Sequence, residues 1–122
     1  MNHATEVVLT EDGSFTLLNR TLGEHYHSIH GAVQESRHVF LEAGYRYICN
    51  KFRDIRILEV GFGTGLNALL TLDASVKTGV NTHYHALEPF PPEWSVIEEI
   101  KYCSPGGLEG FTDDFRNMHH AM

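Results

Sequence analysis

Two carboxylates and three glycines stand where a nucleotide-handling turn would need them. Glu59 precedes the run Gly61-Phe62-Gly63-Thr64-Gly65, and Glu88 follows 88 − 65 = 23 residues after the last glycine. Alternating glycines let the backbone approach a ligand closely, because no Cβ stands in the way. An acid at the tip of the next strand, roughly 20 residues on, is placed to hold ribose hydroxyls. Asn67, just past the turn, is placed to cap the following helix or to touch the ligand. The dinucleotide pattern Gly-x-Gly-x-x-Gly needs its third glycine one place later, where this chain has Leu66, and this disfavours nicotinamide chemistry. A glycine turn with no ligand is the plain alternative.

Such residues need a strand, a turn and a helix to hold them. Ile55 to Val60 is a short run rich in branched residues and reads as a buried parallel strand. Leu66 to Leu72 is apolar and helical, and Thr82 to Leu87 alternates like a second strand ending at Glu88. The 122 residues make one small domain in four parts. They are a hairpin over 6–19, a loop and helices over 20–54, a ligand-binding βαβ unit over 55–88, and a helical tail over 89–122. Gly13 suits the tight loop between Val7-Val8-Leu9 and Phe15-Thr16-Leu17-Leu18. Ser28 suits the N-cap of a helix to about Ala43, with Val33, Phe40 and Ala43 on one face and Gly44 as its C′ residue, and Tyr45, Ile48, Cys49 and Phe52 continue the helical period towards the central strand. Pro92 suits the first turn of a helix carrying Trp94, Ile97 and Ile100, and Phe111 to Met122 suits one more.

Composition removes several classes. Hydrophobic content is 42% and no 18-residue apolar run exists, so no membrane helix and no membrane partner are expected. The start, Met1-Asn2-His3-Ala4-Thr5-Glu6, lacks the features of a signal peptide. Cys49 and Cys103 form no framework, which fits a reducing, cytoplasmic location. His25, His27 and His30 raise the idea of zinc, but no nearby cysteine supports them, and no metal is expected. His83 and His85 share a strand face, His119 and His120 sit near the end, and neither pair makes a site. The net charge of −7 has the wrong sign for gripping phosphates.

The Gly-x-Gly-x-Gly run preceded by Glu59 resembles motif I of the class I S-adenosylmethionine-dependent methyltransferases. Further blocks narrow the likeness. Asp12 to Leu17, Leu22 to Ala32, Glu35-Ser36, Val39-Phe40 and Leu58 to Leu70 together resemble the methyltransferase half of the MnmC-like tRNA wobble-uridine modification family. The resemblance spans roughly residues 12 to 91. It implies an α/β chain forming the N-terminal part of a Rossmann-like class I methyltransferase fold, preceded by the β-hairpin. It also implies transfer of a methyl group from S-adenosylmethionine to the amine of 5-aminomethyl-2-thiouridine in tRNA, with a fused or associated FAD-dependent oxidase domain as partner. On this resemblance Gly61, Gly63 and Gly65 line the cofactor, Glu59 meets its ammonium end, Glu88 meets its ribose and Asn67 assists. Tyr26, His27, Ser28 and Gly31 form a candidate flap against the cofactor or target base; the plain alternative is that Tyr26 packs in the core and Ser28 only caps a helix.

The family's Asp-Gly-Phe-Ala-Pro-like catalytic segment is absent, and Asp113-Asp114-Phe115 does not replace it. Catalytic residues are therefore expected beyond Met122, and the alternative is a non-catalytic nucleotide-binding or interaction module. With only two parallel strands, Ile55 to Val60 has an apolar edge free for pairing with another chain. The 122-residue chain is expected to self-associate at micromolar concentration in light scattering; a sharply melting monomer would refute this.

Overall fold

The first turn of the longest helical segment takes its hydrogen-bond partners from a distant turn in the chain. The computed structural model describes residues 5–26, 31–103 and 108–122. Strands β1 (Thr5–Leu9) and β2 (Phe15–Asn19) pair antiparallel from Thr5↔Asn19 to Leu9↔Phe15. The turn between them offers three side chains to the backbone N–H groups that open a helix at residue 32. Ala32 N–H donates to Thr10 Oγ1 at 3.2 Å, Val33 N–H to Ser14 Oγ at 3.1 Å and Gln34 N–H to Asp12 Oδ2 at 2.8 Å. The helix has no cap of its own at Gly31. The expected N-cap, Ser28, lies outside the described residues. A Cβ at Gly31 would lie 3.0 Å from the Asp12 carboxyl, which explains glycine at this close approach.

The helix opens as α1 (Ala32–Glu35), widens into π-helical turns over Ser36–Tyr45 and closes as α2 (Arg46–Cys49) without a break. Gly44 was expected to interrupt it before the helical period resumed at Tyr45; instead the chain runs through Gly44 in helical conformation to Asn50. A glycine inside a helix costs about 1 kcal/mol. Here Leu41 and Tyr45 are buried on either side of it, and Tyr45 OH lies 2.7 Å from Thr82 Oγ1. Packing outweighs propensity. The spacing of Ser36, Phe40 and Tyr45, four and five residues, suits the wider turn; Phe40 and Tyr45 meet residues 84 and 82 and Ser36 meets Asn67.

The segment before this rod, expected as loop, contains a two-residue strand, β3 (Glu24–His25), paired to β2 through Leu18↔His25. Strands β4 (Asp54–Val60) and β5 (Asn81–Leu87) are parallel and in register from Asp54↔Asn81 to Val60↔Leu87. Parallel strands need a crossover, supplied by helix α3 (Leu66–Thr78) between two left-handed glycines, Gly65 and Gly79. Leu66, Leu69 and Leu70 are fully buried beneath it. The strand expected to be buried on both faces is buried on one. Ile55, Ile57 and Glu59 point inwards, while Leu58 and Val60 are 65% and 79% exposed, because the described helices cover only that inner face.

Helix α4 (Trp94–Ile100) begins after Glu93, so Pro92 precedes it and does not fill its first turn. A short 3₁₀ turn (Glu109–Phe111) leads into α5 (Thr112–His120). Tyr102 follows α4 and donates its OH to the Phe15 carbonyl at 2.8 Å, with Thr64 Oγ1 3.4 Å away. One phenol thus joins the first sheet to the glycine turn.

Burial pushes the Asp12 carboxyl up, but hydrogen bonds from Ser14, Gln34 and Thr10 prevail and hold it below the usual range. Asp12→Ala is expected to lower stability by about 1–2 kcal/mol in denaturant titration, the usual cost of a lost helix cap. A change near zero would mean that Thr10 and Ser14 suffice.

Candidate functional site

The three glycines of the turn do three different jobs. Gly61 and Phe62 both donate to the Leu87 carbonyl, at 2.8 and 3.2 Å, and so carry the parallel ladder past the end of β4. Gly61 has φ +88°, and a Cβ there would meet nothing within 4 Å, which leaves the approach to its backbone open. A Cβ on Gly63 would meet the Tyr26 ring at 3.0 Å. On Gly65 it would meet His119 Nε2 and the Phe62 ring, both at 2.8 Å. Gly65 is therefore demanded by the tail packed beneath the turn.

Glu88 fastens the turn from the other side. Its Oε1 accepts from Gly63 N–H at 2.7 Å and its Oε2 from Phe90 N–H at 3.1 Å. A carboxylate has about four acceptor positions, so two remain for a ligand. Glu59 is 8% exposed and accepts from Asn67 Nδ2 and from the Tyr84 hydroxyl, each at 2.8 Å. Burial pushes its carboxyl up; the two hydrogen bonds oppose this, and the charge of Glu88 adds to it. Ser36 Oγ in turn donates to Asn67 Oδ1.

Beside these groups lies a cleft of about 470 Å³ lined by Tyr26, Glu35, Ser36, Val39, Phe40, Gly61, Gly63 and Asn67. Tyr26 is anchored through its N–H to the Leu17 carbonyl at 2.8 Å, and its phenol is pushed up by burial and by Glu88. Among the described residues the cleft is lined by no lysine, arginine or histidine. Glu35 is the carboxylate among its described lining residues, and Glu59 and Glu88 lie behind the lining, bonded to Asn67 and Gly63. Of the residues singled out in the sequence, Glu59, Gly61, Gly63, Asn67, Glu88 and Tyr26 come together here. Gly65 faces the tail, Gly31 lies beside Asp12 at the start of α1, and His27 and Ser28 fall outside the described residues.

Sequence reasoning missed Tyr84, Ser36 and His119. Tyr84 shares the inward phase of Thr82 and Ala86, and Ser36 is the one hydroxyl between Val33 and Phe40 on an apolar stripe. Both signals were present. Nothing in the sequence tied His119 to the turn. Among the described residues, no group of three or more His, Cys, Asp or Glu could hold a metal ion, and no helix is long and apolar enough to cross a membrane.

His119 packs against Phe62, Trp94 and Phe115 with ring centroids 5.1, 5.5 and 4.7 Å away. Burial pushes it down from 6.5 to about 4. Between those values the unfolded chain takes up a proton that the folded chain refuses, so stability is full above pH 6.5 and is lost as pH falls towards 4. The thermal midpoint should fall across this window, and less steeply in His119→Phe. Identical slopes for the two proteins would rule the histidine out as the cause.

No protein-family model matches the chain. It is 42% identical over 77 residues to the tRNA 5-methylaminomethyl-2-thiouridine biosynthesis bifunctional protein MnmC of Magnetococcus marinus, covering 60% of this chain and 11% of that protein. With the protein of the same name from Chromobacterium violaceum the identity is 30% over 100 residues, covering 75% of this chain and 14% of the relative. The chain therefore spans only a small part of these relatives' length. The crystal structure of MnmC2 from Aquifex aeolicus matches with a TM-score of 0.61 and 29% identity, over 85% of this chain and 39% of that one. In sequence and in backbone the chain is MnmC-like, similar to one stretch of the proteins that bear that name.

Proposed function

We propose that the chain carries the S-adenosylmethionine-binding part of a tRNA methyltransferase. The acidity of the cleft carries this reading. Glu35 lines a glycine-floored pocket with no basic residue in its described lining, and Glu59 and Glu88 stand behind it, bonded to the lining residues Asn67 and Gly63, an environment hostile to phosphates and favourable to a cation. A dinucleotide brings two phosphates; S-adenosylmethionine brings a sulfonium and an ammonium. The volume, about 470 Å³, lies within the usual range for small-ligand sites. When bound, the cofactor supplies an electrophilic methyl group. Glu59 takes its ammonium, Glu88 its ribose hydroxyls, and Gly61 and Gly63 let the backbone close on it. Tyr26 covers the Gly63 side as a flap. His27 and Ser28 belong to the same proposed flap.

The acceptor in this reading is the amine of 5-aminomethyl-2-thiouridine at the tRNA wobble position, in a cytoplasmic enzyme partnered with an oxidase domain. The relatives' shared name supports it. With a net charge of −7 the chain as a whole does not attract phosphates, so tRNA recognition rests on those relatives. No described residue is assigned to deprotonate the amine.

Glu88→Ala tests the cofactor site. Hydrogen bonds to charged groups are worth about 1.5–3 kcal/mol, so calorimetry should show affinity for S-adenosylmethionine falling about ten- to a hundredfold. Unchanged affinity would sink the assignment.

A further inference from the structure

We propose that Tyr84 and Ser36 are positioning residues for Glu59, acting through the chain Ser36–Asn67–Glu59–Tyr84 to aim its remaining lone pairs at the ammonium group of a ligand. The identity of that ligand rests on the methyltransferase reading above; the positioning does not. Glu59 is almost fully buried and, among the described residues, bonded to no cation, so hydrogen-bond donors hold it. Tyr84 holds Oε1 and Asn67 holds Oε2, both at 2.8 Å. With one donor on each oxygen the carboxylate cannot rotate without breaking a bond, and its partner Asn67 lines the cleft.

Each partner is itself fixed. The Tyr84 ring packs 6.5 Å from Phe40, and burial with the Glu59 charge pushes its phenol far above the ordinary range, so it stays a donor. The Asn67 amide could point either way. The Glu59 carboxylate accepts only and so takes Nδ2, while Ser36, 3% exposed, donates to the Oδ1 left over and holds the amide in that orientation. The flipped amide would set one oxygen against another. The other described titratable groups at or behind the cleft are Glu35 from the helical rod, Tyr26 from the preceding segment and Glu88 after β5. None of these can supply a positive charge. Among the described residues no cation is bonded to Glu59, so a ligand's ammonium would be the first, and the orientation of Glu59 decides how well that cation is held.

Two measurements on the 122-residue chain test this. Tyr84→Phe removes one oxygen and keeps the ring; Ser36→Ala frees the amide and acts from the other end. In carboxyl-carbon NMR titration of the ligand-free protein, the Glu59 midpoint should move to higher pH in each variant. In calorimetry, Tyr84→Phe should bind S-adenosylhomocysteine about three- to tenfold more weakly. Binding of 5′-methylthioadenosine, which shares the adenosine and lacks the amino-acid group, should be unchanged. A Glu59 midpoint unmoved in both variants overturns the positioning role. Equal loss for both ligands overturns the selection of an ammonium. Failure of the wild-type chain to bind either ligand counts against the methyltransferase reading, and the ligand-free titration then still decides the role of Tyr84 and Ser36.

Discussion

Three side chains of a surface turn hold the helix that walls the cleft. Thr10, Asp12 and Ser14 bond the N–H groups of residues 32, 33 and 34, which no intrahelical carbonyl could satisfy. The helix they start carries Ser36 and Phe40 to the cleft and Tyr45 to β5. An error in the turn would shift all three together, because a helix moves as a unit. The first sheet is in this sense a bracket for the second, although its strands contribute no residue to the lining of the pocket.

Acidity and burial work against each other inside that pocket. Water is largely removed from Glu59, which disfavours its charge, and among the described residues no cation is bonded to it to restore the balance. Two neutral donors, Asn67 and Tyr84, offset part of that cost. A second carboxylate, Glu88, is kept in place by backbone N–H groups instead, at a more open position. The two acids therefore differ in character: one is dry and tied to side chains, the other wetter and tied to the turn.

What could be read from the sequence was what is encoded locally. Gly61, Gly63 and Gly65 between an apolar run and a helical one specify strand, turn and helix within a dozen residues, and Glu88 follows at the interval one crossover needs. Features made by distant contacts were not legible. Gly44 looks like a helix stop because nothing nearby says that Tyr45 will reach Thr82. Ser36 looks like any helix-surface hydroxyl until Asn67 is placed against it. Gly65 looks like a ligand-facing glycine, and only the packing of His119 shows that a tail residue also requires it. The burial of β4 was overestimated for the same reason: β-branched composition reports preference for a sheet, while the number of covered faces depends on neighbours.

The hydrogen bond from Tyr102 to the Phe15 carbonyl joins residues 87 positions apart. Closing so long a loop carries an entropic cost that later contacts must offset, and chains rich in such pairings fold slowly. During synthesis, β1 and β2 leave the ribosome long before their partner is made. The first sheet thus has its own pairing and the helix its turn opens, 19 to 22 residues on, before α4 and Tyr102 arrive to lock it against the glycine turn. Assembly then runs from near contacts to far ones: the hairpin with its helix and the β4–α3–β5 unit can each form locally, and the Tyr102 bond joins them last.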